Sequence, residues 1–258
     1  MAGSKLKIDI RRNKILKQLR AEGRVSVSQL AQELGTTCVT IRNDLFALEQ
    51  DGYLVRVQGG AVLLSSVSGK AELADSHISE YEDKRAIADA IVSQISNGDT
   101  LFLNSGTTTL CVAEALRSRK DLNIVTNSLE VATRLGGVPS VRVVLLGGEI
   151  NAQYGFTYGG DTQEQLGRYQ ADWVILSVEG ISASNGITTH HAEEALVDRL
   201  MMGGAKRVIL AADHTKLGRV GFARVCQCSD RFLLVTDARA DDAAVALLRE
   251  QGMQVINA

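Results

Sequence analysis

The stretch SVSQLAQELGTTCVTIRNDLFALEQDGYLVRVQGG, Ser26 to Gly60, reads as two short helices, a tight turn between them and a small hairpin after them. Ser26 stands where a helix N-cap belongs and Gln29 follows three places on, the reciprocal pair that satisfies orphan backbone donors at a helix start. Leu30, Ala31 and Leu34 supply the buried side of that helix. Gly35 suits the left-handed residue that ends many helices, and Thr37 is placed to cap the next one. The second helix is predicted from about Cys38 to Gln50, because Cys38, Ile41, Leu45 and Leu48 recur at spacings of three and four and share one face. Tyr53 to Val57 and Ala61 to Leu64 then read as strands around the turn Gln58-Gly59-Gly60. The order predicts a winged helix-turn-helix.

Val39, Thr40, Arg42 and Asn43 are left on the other faces of the second helix, near its N-terminal end. These types suit base edges: Arg binds guanine bidentately, Asn binds adenine, and Val or the Thr methyl touches a thymine methyl. Thr37 at the helix start and Arg56, Gln58 and Gly59 in the wing complete the candidate surface for double-stranded DNA. Asp44, which phosphates repel, is expected to orient a neighbouring basic side chain. Pattern alone also allows a helical interaction domain that happens to turn here. Charge adds to the first reading. The 258-residue chain carries −2 overall, yet residues 1 to 60 hold ten Lys and Arg against six Asp and Glu, +4, leaving −6 for the rest. A basic small domain on an acidic body fits a nucleic-acid contact confined to one end.

Ile8, Arg12, Ile15 and Leu19 mark a supporting helix ahead of this stretch, closed near Gly23, with Arg11, Arg12 and Lys14 within reach of phosphates. Residues 65 to 80 turn small and polar and are expected to link residues 1 to 64 to a second domain over 81 to 258. That domain opens with an amphipathic helix, Tyr81 to Ser96, with Ile87, Ala88, Ile91, Val92 and Ile95 inward. Apolar runs follow at 101–104, 123–127, 141–146, 173–178, 207–212 and 232–236, separated by helical segments. They predict an α/β domain with a mainly parallel sheet covered on both faces.

In such sheets ligands gather beyond the carboxyl ends of the strands. Asn104-Ser105-Gly106-Thr107-Thr108-Thr109 follows the first run and precedes a helix, a setting in which hydroxyls and a helix N-terminus favour an anion. The loop is neither a Walker A nor a GxGxxG sequence. A Thr-rich cap with no ligand fits the same residues. Thr126-Asn127, Gly147-Gly148, Glu179-Gly180 and Asp213 to Lys216 stand at other strand ends. Together they offer hydroxyls, an amide, carboxylates and a lysine, a set suited to a phosphorylated polyol.

These residues carry a resemblance to the DeoR family of bacterial transcription regulators, over nearly the whole chain. Thr40-Ile41-Arg42-Asn43-Asp44-Leu45, Leu48-Glu49, Gly52 and Val57 to Ala61 resemble its N-terminal signature. Gly98-Asp99, Ser105 to Thr108, Thr126-Asn127, Gly147-Gly148, Glu179 to Ile181, Gly186 to Thr189, Glu194-Ala195, and Asp213 with Lys216 resemble its effector domain, which is Rossmann-like and similar in fold to ribose-5-phosphate isomerase. The resemblance implies a repressor of a carbohydrate operon whose operator binding answers to a phosphorylated sugar. It implies that Asn104, Ser105, Gly106, Thr107, Thr108, Thr126, Asn127, Gly148, Glu179, Gly180, Asp213 and Lys216 form the effector site. Two departures stand out: the family commonly has Asp where this chain has Asn104, and serines at His214-Thr215.

Other patterns are read without chemistry. His190-His191 with Glu193-Glu194 lacks the HExxH spacing, and Cys226-x-Cys228 has no partner pair, so no metal is expected. Ser105 is not in a GxSxG elbow. No cofactor motif stands out, no run reaches bilayer length, and nothing resembles a signal peptide, so the cytoplasm is the default location. Symmetric half-sites on DNA would call for a homo-oligomer. Two other readings stay open: a sugar-phosphate isomerase with Glu179, Asp213 and Lys216 as acid or base, and a body that serves chiefly for oligomerisation.

Overall fold

The computed structural model describes residues 11–12, 14–19, 22–50, 54–57, 59–63, 73–152 and 154–258, in two compact units divided at Asp75/Ser76. In the first, helical residues 11–12 and 14–19 lead into β1 (Arg24–Ser26), α1 (Val27–Glu33), α2 (Cys38–Gln50), β2 (Leu54–Val57) and β3 (Gly60–Leu63). The three strands form one antiparallel sheet in the order β1-β3-β2, the expected hairpin joined by a strand from before α1. Ile15, Leu19, Leu30, Ile41, Leu45, Leu48 and Leu54 are buried in a single core, so the helical stripes point where their spacing put them. Ile8, Gly52, Tyr53, Gln58 and Leu64 lie outside the described residues.

Two local expectations are corrected. The reciprocal cap at Ser26 and Gln29 does not form: Ser26 Oγ lies 2.9 Å from Ser28 Oγ, and Gln29 donates to Glu33. Ser26 is held in β1 opposite Gly60, and the Val27 N–H at the start of α1 is satisfied instead by the Gly59 carbonyl at 2.8 Å. Cys38 is exposed rather than buried with Ile41, because the first turn of α2 projects beyond the core. Thr37 does cap α2, its Oγ1 accepting from Thr40 N at 3.2 Å.

The second unit begins in α3 (Leu73–Ser93), which takes in 73–80, residues assigned to the linker by composition. Ile87, Ala88, Ile91, Val92 and Ile95 are buried as expected. Then follow β4 (Thr100–Leu103), α4 (Thr107–Leu116), β5 (Leu122–Thr126), α5 (Leu129–Leu135), β6 (Val141–Leu145), the hairpin β7 (Glu149–Asn151) and β8 (Phe156–Tyr158), and α6 (Gly160–Leu166). After these come β9 (Ala171–Ser177), β10 (Gly180–Ser182), β11 (Gly186–Thr189), α7 (Ala192–Gly203), β12 (Ala205–Ala211), a 3-10 turn at His214–Lys216, β13 (Ala223–Cys226), β14 (Phe232–Thr236), α8 (Asp242–Glu250) and β15 (Gln254–Asn257).

All six predicted runs are strands of one seven-stranded parallel sheet, ordered β15-β14-β12-β9-β4-β5-β6. Alternate residues feed two cores, Phe102, Val174 and Leu210 on one face and Leu103, Ile175 and Ile209 on the other. Burial on both faces is what made these strands legible as continuous apolar runs. The chain enters the sheet at β4, works outward through β5 and β6, and returns to β9 on the other side of β4. The topological switch point therefore lies between the carboxyl ends of β4 and β9. A small antiparallel sheet, β10-β11-β13, follows β9 in the chain and was not expected from the sequence.

Candidate functional site

On α2 the candidate base-reading residues face outward. Val39 is 62% exposed, Arg42 and Asn43 are exposed, and Thr40 is half-buried beside the Thr37 hydroxyl. Arg56 and Gly59 are exposed in the wing. Asp44 points the other way and is 2% exposed, paired with Arg11 and, at 3.2 Å, with Arg12. Arg11 and Arg12, expected within reach of phosphates, both pair with Asp44, which pins the leading helix to α2. Asp44 thus orients basic residues, as its sign demanded.

At the switch point Asn104 extends the β4–β9 ladder with its side chain. It accepts from Ser177 N at 2.9 Å, donates to Ser177 O at 2.9 Å and donates to Asp198 at 3.1 Å. Burial and the charge of Glu194 push the Asp198 carboxyl well above its usual range, against the opposing Asn104 hydrogen bond. An amide at 104 offers this group an N–H that an ionised Asp would lack, which gives the departure at 104 a local physical reason.

Ser105 is buried, Gly106 and Thr107 are exposed, and Thr108 is buried. No side chain caps α4, and a Cβ on Gly106 would lie 2.6 Å from Ser177 Cβ, so only glycine lets β9 pass this close. The start of α4 thus presents backbone donors without an internal acceptor. Thr126 accepts from Ser128 N, and Asn127 donates to Thr157 O at 3.0 Å while its Oδ1 is buried without a partner. Thr126, Asn127 and Gly148 lie along β5 and β6, on the other side of β4 from Glu179, Gly180, Asp213 and Lys216.

The two carboxylates are not free acceptors. Glu179 is ringed by Lys216 at 3.1 Å, Arg219 at 2.9 Å and His190 at 3.3 Å. Asp213 accepts from Thr215 and lies 3.8 Å from Lys84. Beyond it, His214 Nδ1 meets Asp237 at 3.1 Å. Among the described residues, Asp83, His214 and Asp237 bring possible metal-ligand atoms within 4.8 Å of one another. Arg239, paired with Asp83 and 3.8 Å from Asp237, already supplies positive charge there.

Residues 11–67 match the model of the DeoR-like helix-turn-helix domain, and 79–238 match the DeoR C-terminal sensor domain. The chain belongs to the DeoR family. It is 32% identical over 248 residues to the transcriptional repressor GlcR of Bacillus subtilis, covering 94% of this chain and 93% of that one. It is 31% identical over 245 residues to the glycerol-3-phosphate regulon repressor of Escherichia coli, covering 95% and 97%. Among solved structures, the sorbitol operon regulator SorC of Klebsiella pneumoniae aligns over 93% of this chain and 99% of its own, with 15% identity and a TM-score of 0.40. A DeoR-family chain with both domains is a DNA-binding transcription regulator, not an isomerase with an added module. Among the described residues no helix is long and apolar enough to cross a membrane.

Sequence reading missed Lys84, His190, Arg219 and Asp237 in this DeoR-family sensor domain. Lys84 sits on the polar side of the amphipathic helix, where no periodicity marks it. His190 fits no sequence motif beyond a metal-ligand spacing that it lacks. Arg219 lies in a short loop between a 3-10 turn and the four-residue strand β13, elements too short to show in a periodicity.

Proposed function

We propose that this regulator is a cytoplasmic homo-oligomeric repressor of a carbohydrate-metabolism operon, released from its operator by a phosphorylated sugar. The DNA half is carried by the outward face of α2. Arg42 and Asn43 read base edges, Val39 and Thr40 make apolar or adjacent phosphate contact, and Thr37, Arg56, Gln58 and Gly59 hold the sugar-phosphate backbone. A bidentate Arg or Asn contact is worth about 1–3 kcal/mol of discrimination.

The effector half rests on one observation: the uncapped start of α4 opens at the β4–β9 switch point, in the same unit as Lys216 at the end of β12. Backbone N–H groups, the hydroxyls of Ser105, Thr107 and Thr108 and a point charge together suit the oxygens of a phosphorylated polyol. Asn104, Thr126 and Asn127 shape the floor from below rather than meeting the ligand. Glu179 and Asp213 pair with basic side chains around the site. A relative named for the glycerol-3-phosphate regulon is consistent with a phosphorylated polyol as the signal.

The test is binding of the full chain to the DNA upstream of its own gene, with and without a panel of sugar phosphates at fixed salt. One compound should weaken operator binding while leaving random duplex unaffected. An operator complex indifferent to every sugar phosphate would refute the effector half and leave the DNA half standing.

A further inference from the structure

Glu179 is a carboxylate already met by an ammonium, a guanidinium and an imidazole. Its Oε2 lies 3.1 Å from Lys216 Nζ and 3.3 Å from His190 Nε2, and its Oε1 lies 2.9 Å from Arg219 Nη2. The three partners come from separate segments: the residue after β11, the 3-10 turn after β12 and the loop before β13. The Glu179 side chain is 15% exposed and Lys216 24%, while His190 and Arg219 are about half exposed, so solvent reaches the cluster. Lys216 and Arg219 alone bring one more positive charge than Glu179 neutralises.

The backbone, not the ion pairs, brings these cations together. Gly218 N donates to Ile181 O at 2.8 Å, and Gly221 N donates to Thr188 Oγ1 at 2.8 Å. A Cβ on Gly180 would lie 2.3 Å from the Arg219 carbonyl oxygen, so glycine at 180 is what lets this loop seat on β10. The Arg219 backbone is therefore held near Lys216 independently of Glu179. A fixed set of cations around one carboxylate is an anion site occupied by the protein's own group.

We propose that Glu179 is an internal stand-in for the effector's anion, and that His190, Lys216 and Arg219 form the subsite for the phosphate of a phosphomonoester, which binds by displacing the Glu179 carboxylate. This rests on the sugar-phosphate reading above and specifies which end of the site takes the phosphate. Phosphate brings more charge than a carboxylate and a third acceptor oxygen, and it matches the fork of Arg219 and the point charge of Lys216. The start of α4 is then left to the polyol end. Because the free protein keeps the subsite filled, its apparent affinity is reduced by the fraction of molecules in which Glu179 is displaced.

The probe is inorganic phosphate, titrated calorimetrically into the full chain at constant ionic strength. Glu179→Gln should bind phosphate about tenfold more tightly than the wild type, and Arg219→Met about tenfold more weakly, both with unchanged circular dichroism. Equal or weaker binding by folded Glu179→Gln overturns the proposal. If that variant does not fold, undiminished affinity in Arg219→Met overturns it instead. Sugar monophosphates on the same proteins separate the two levels. One that shifts operator binding with equal affinity in all three sinks the subsite and spares the function. Phosphate affinities that move as stated, with no sugar phosphate acting on operator binding, do the reverse.

Discussion

Arg42 is exposed on α2, whereas Asp44, two residues on, is buried between Arg11 and Arg12. Arg42→Ala should therefore cost about 1–3 kcal/mol of operator discrimination and leave the melting temperature unchanged within about a degree. Operator and random duplex affinities in that variant, measured at one salt concentration, check it. Asp198 carries a second prediction. Burial raises its carboxyl well above the usual range, and burial also raises Glu194 nearby. A folded state that holds protons more tightly than the unfolded chain has its full stability below the ordinary carboxylate pKa and loses it as pH rises through the raised value. The melting temperature should therefore fall as pH rises above the ordinary carboxylate range. Asp198→Asn should flatten that slope, with Glu194 supplying the remainder; parallel curves for the two proteins would contradict the assignment.

Among elements, α4 shows how a strand end becomes a candidate site. Gly106 packs its bare Cα on Ser177 and leaves the helix start uncapped. Gly106→Ala should cost about 1–3 kcal/mol by forcing β4 and β9 apart, read as a lower urea midpoint with an unchanged slope. The effector response should weaken with it. The long buried strands and the stripes of α1 to α3 were legible in sequence because core burial imposes a period on the residues. The strands β10, β11 and β13, of three or four residues, impose none, and with them went Arg219. Capping was legible only in part: Thr37 caps α2, but the donor at the start of α1 is met by Gly59, 32 residues away in the chain, and no local pattern records such a partner. Composition likewise assigned 73–80 to a linker, although they belong to α3.

At the scale of the whole molecule, the proposed function requires coupling between an operator surface on one unit and an effector site on the other. Coupling is reciprocal in binding free energy. If a sugar phosphate weakens operator affinity by some factor, operator DNA must weaken that sugar phosphate by the same factor. Matched titrations in the two orders check this, and unequal factors at the same salt would mean a further linked equilibrium, such as a change of oligomer. Such coupling typically amounts to about 1–3 kcal/mol, a 5- to 150-fold effect that is easily resolved. The central claim is tested most directly by fluorescence anisotropy of the full chain on the duplex upstream of its own gene, against random duplex, across a panel of sugar phosphates. Salt is held constant because nonspecific affinity depends steeply on it. The account predicts preferential binding to the upstream duplex that one sugar phosphate abolishes; equal, weak binding to both duplexes, unmoved by any of them, would contradict it.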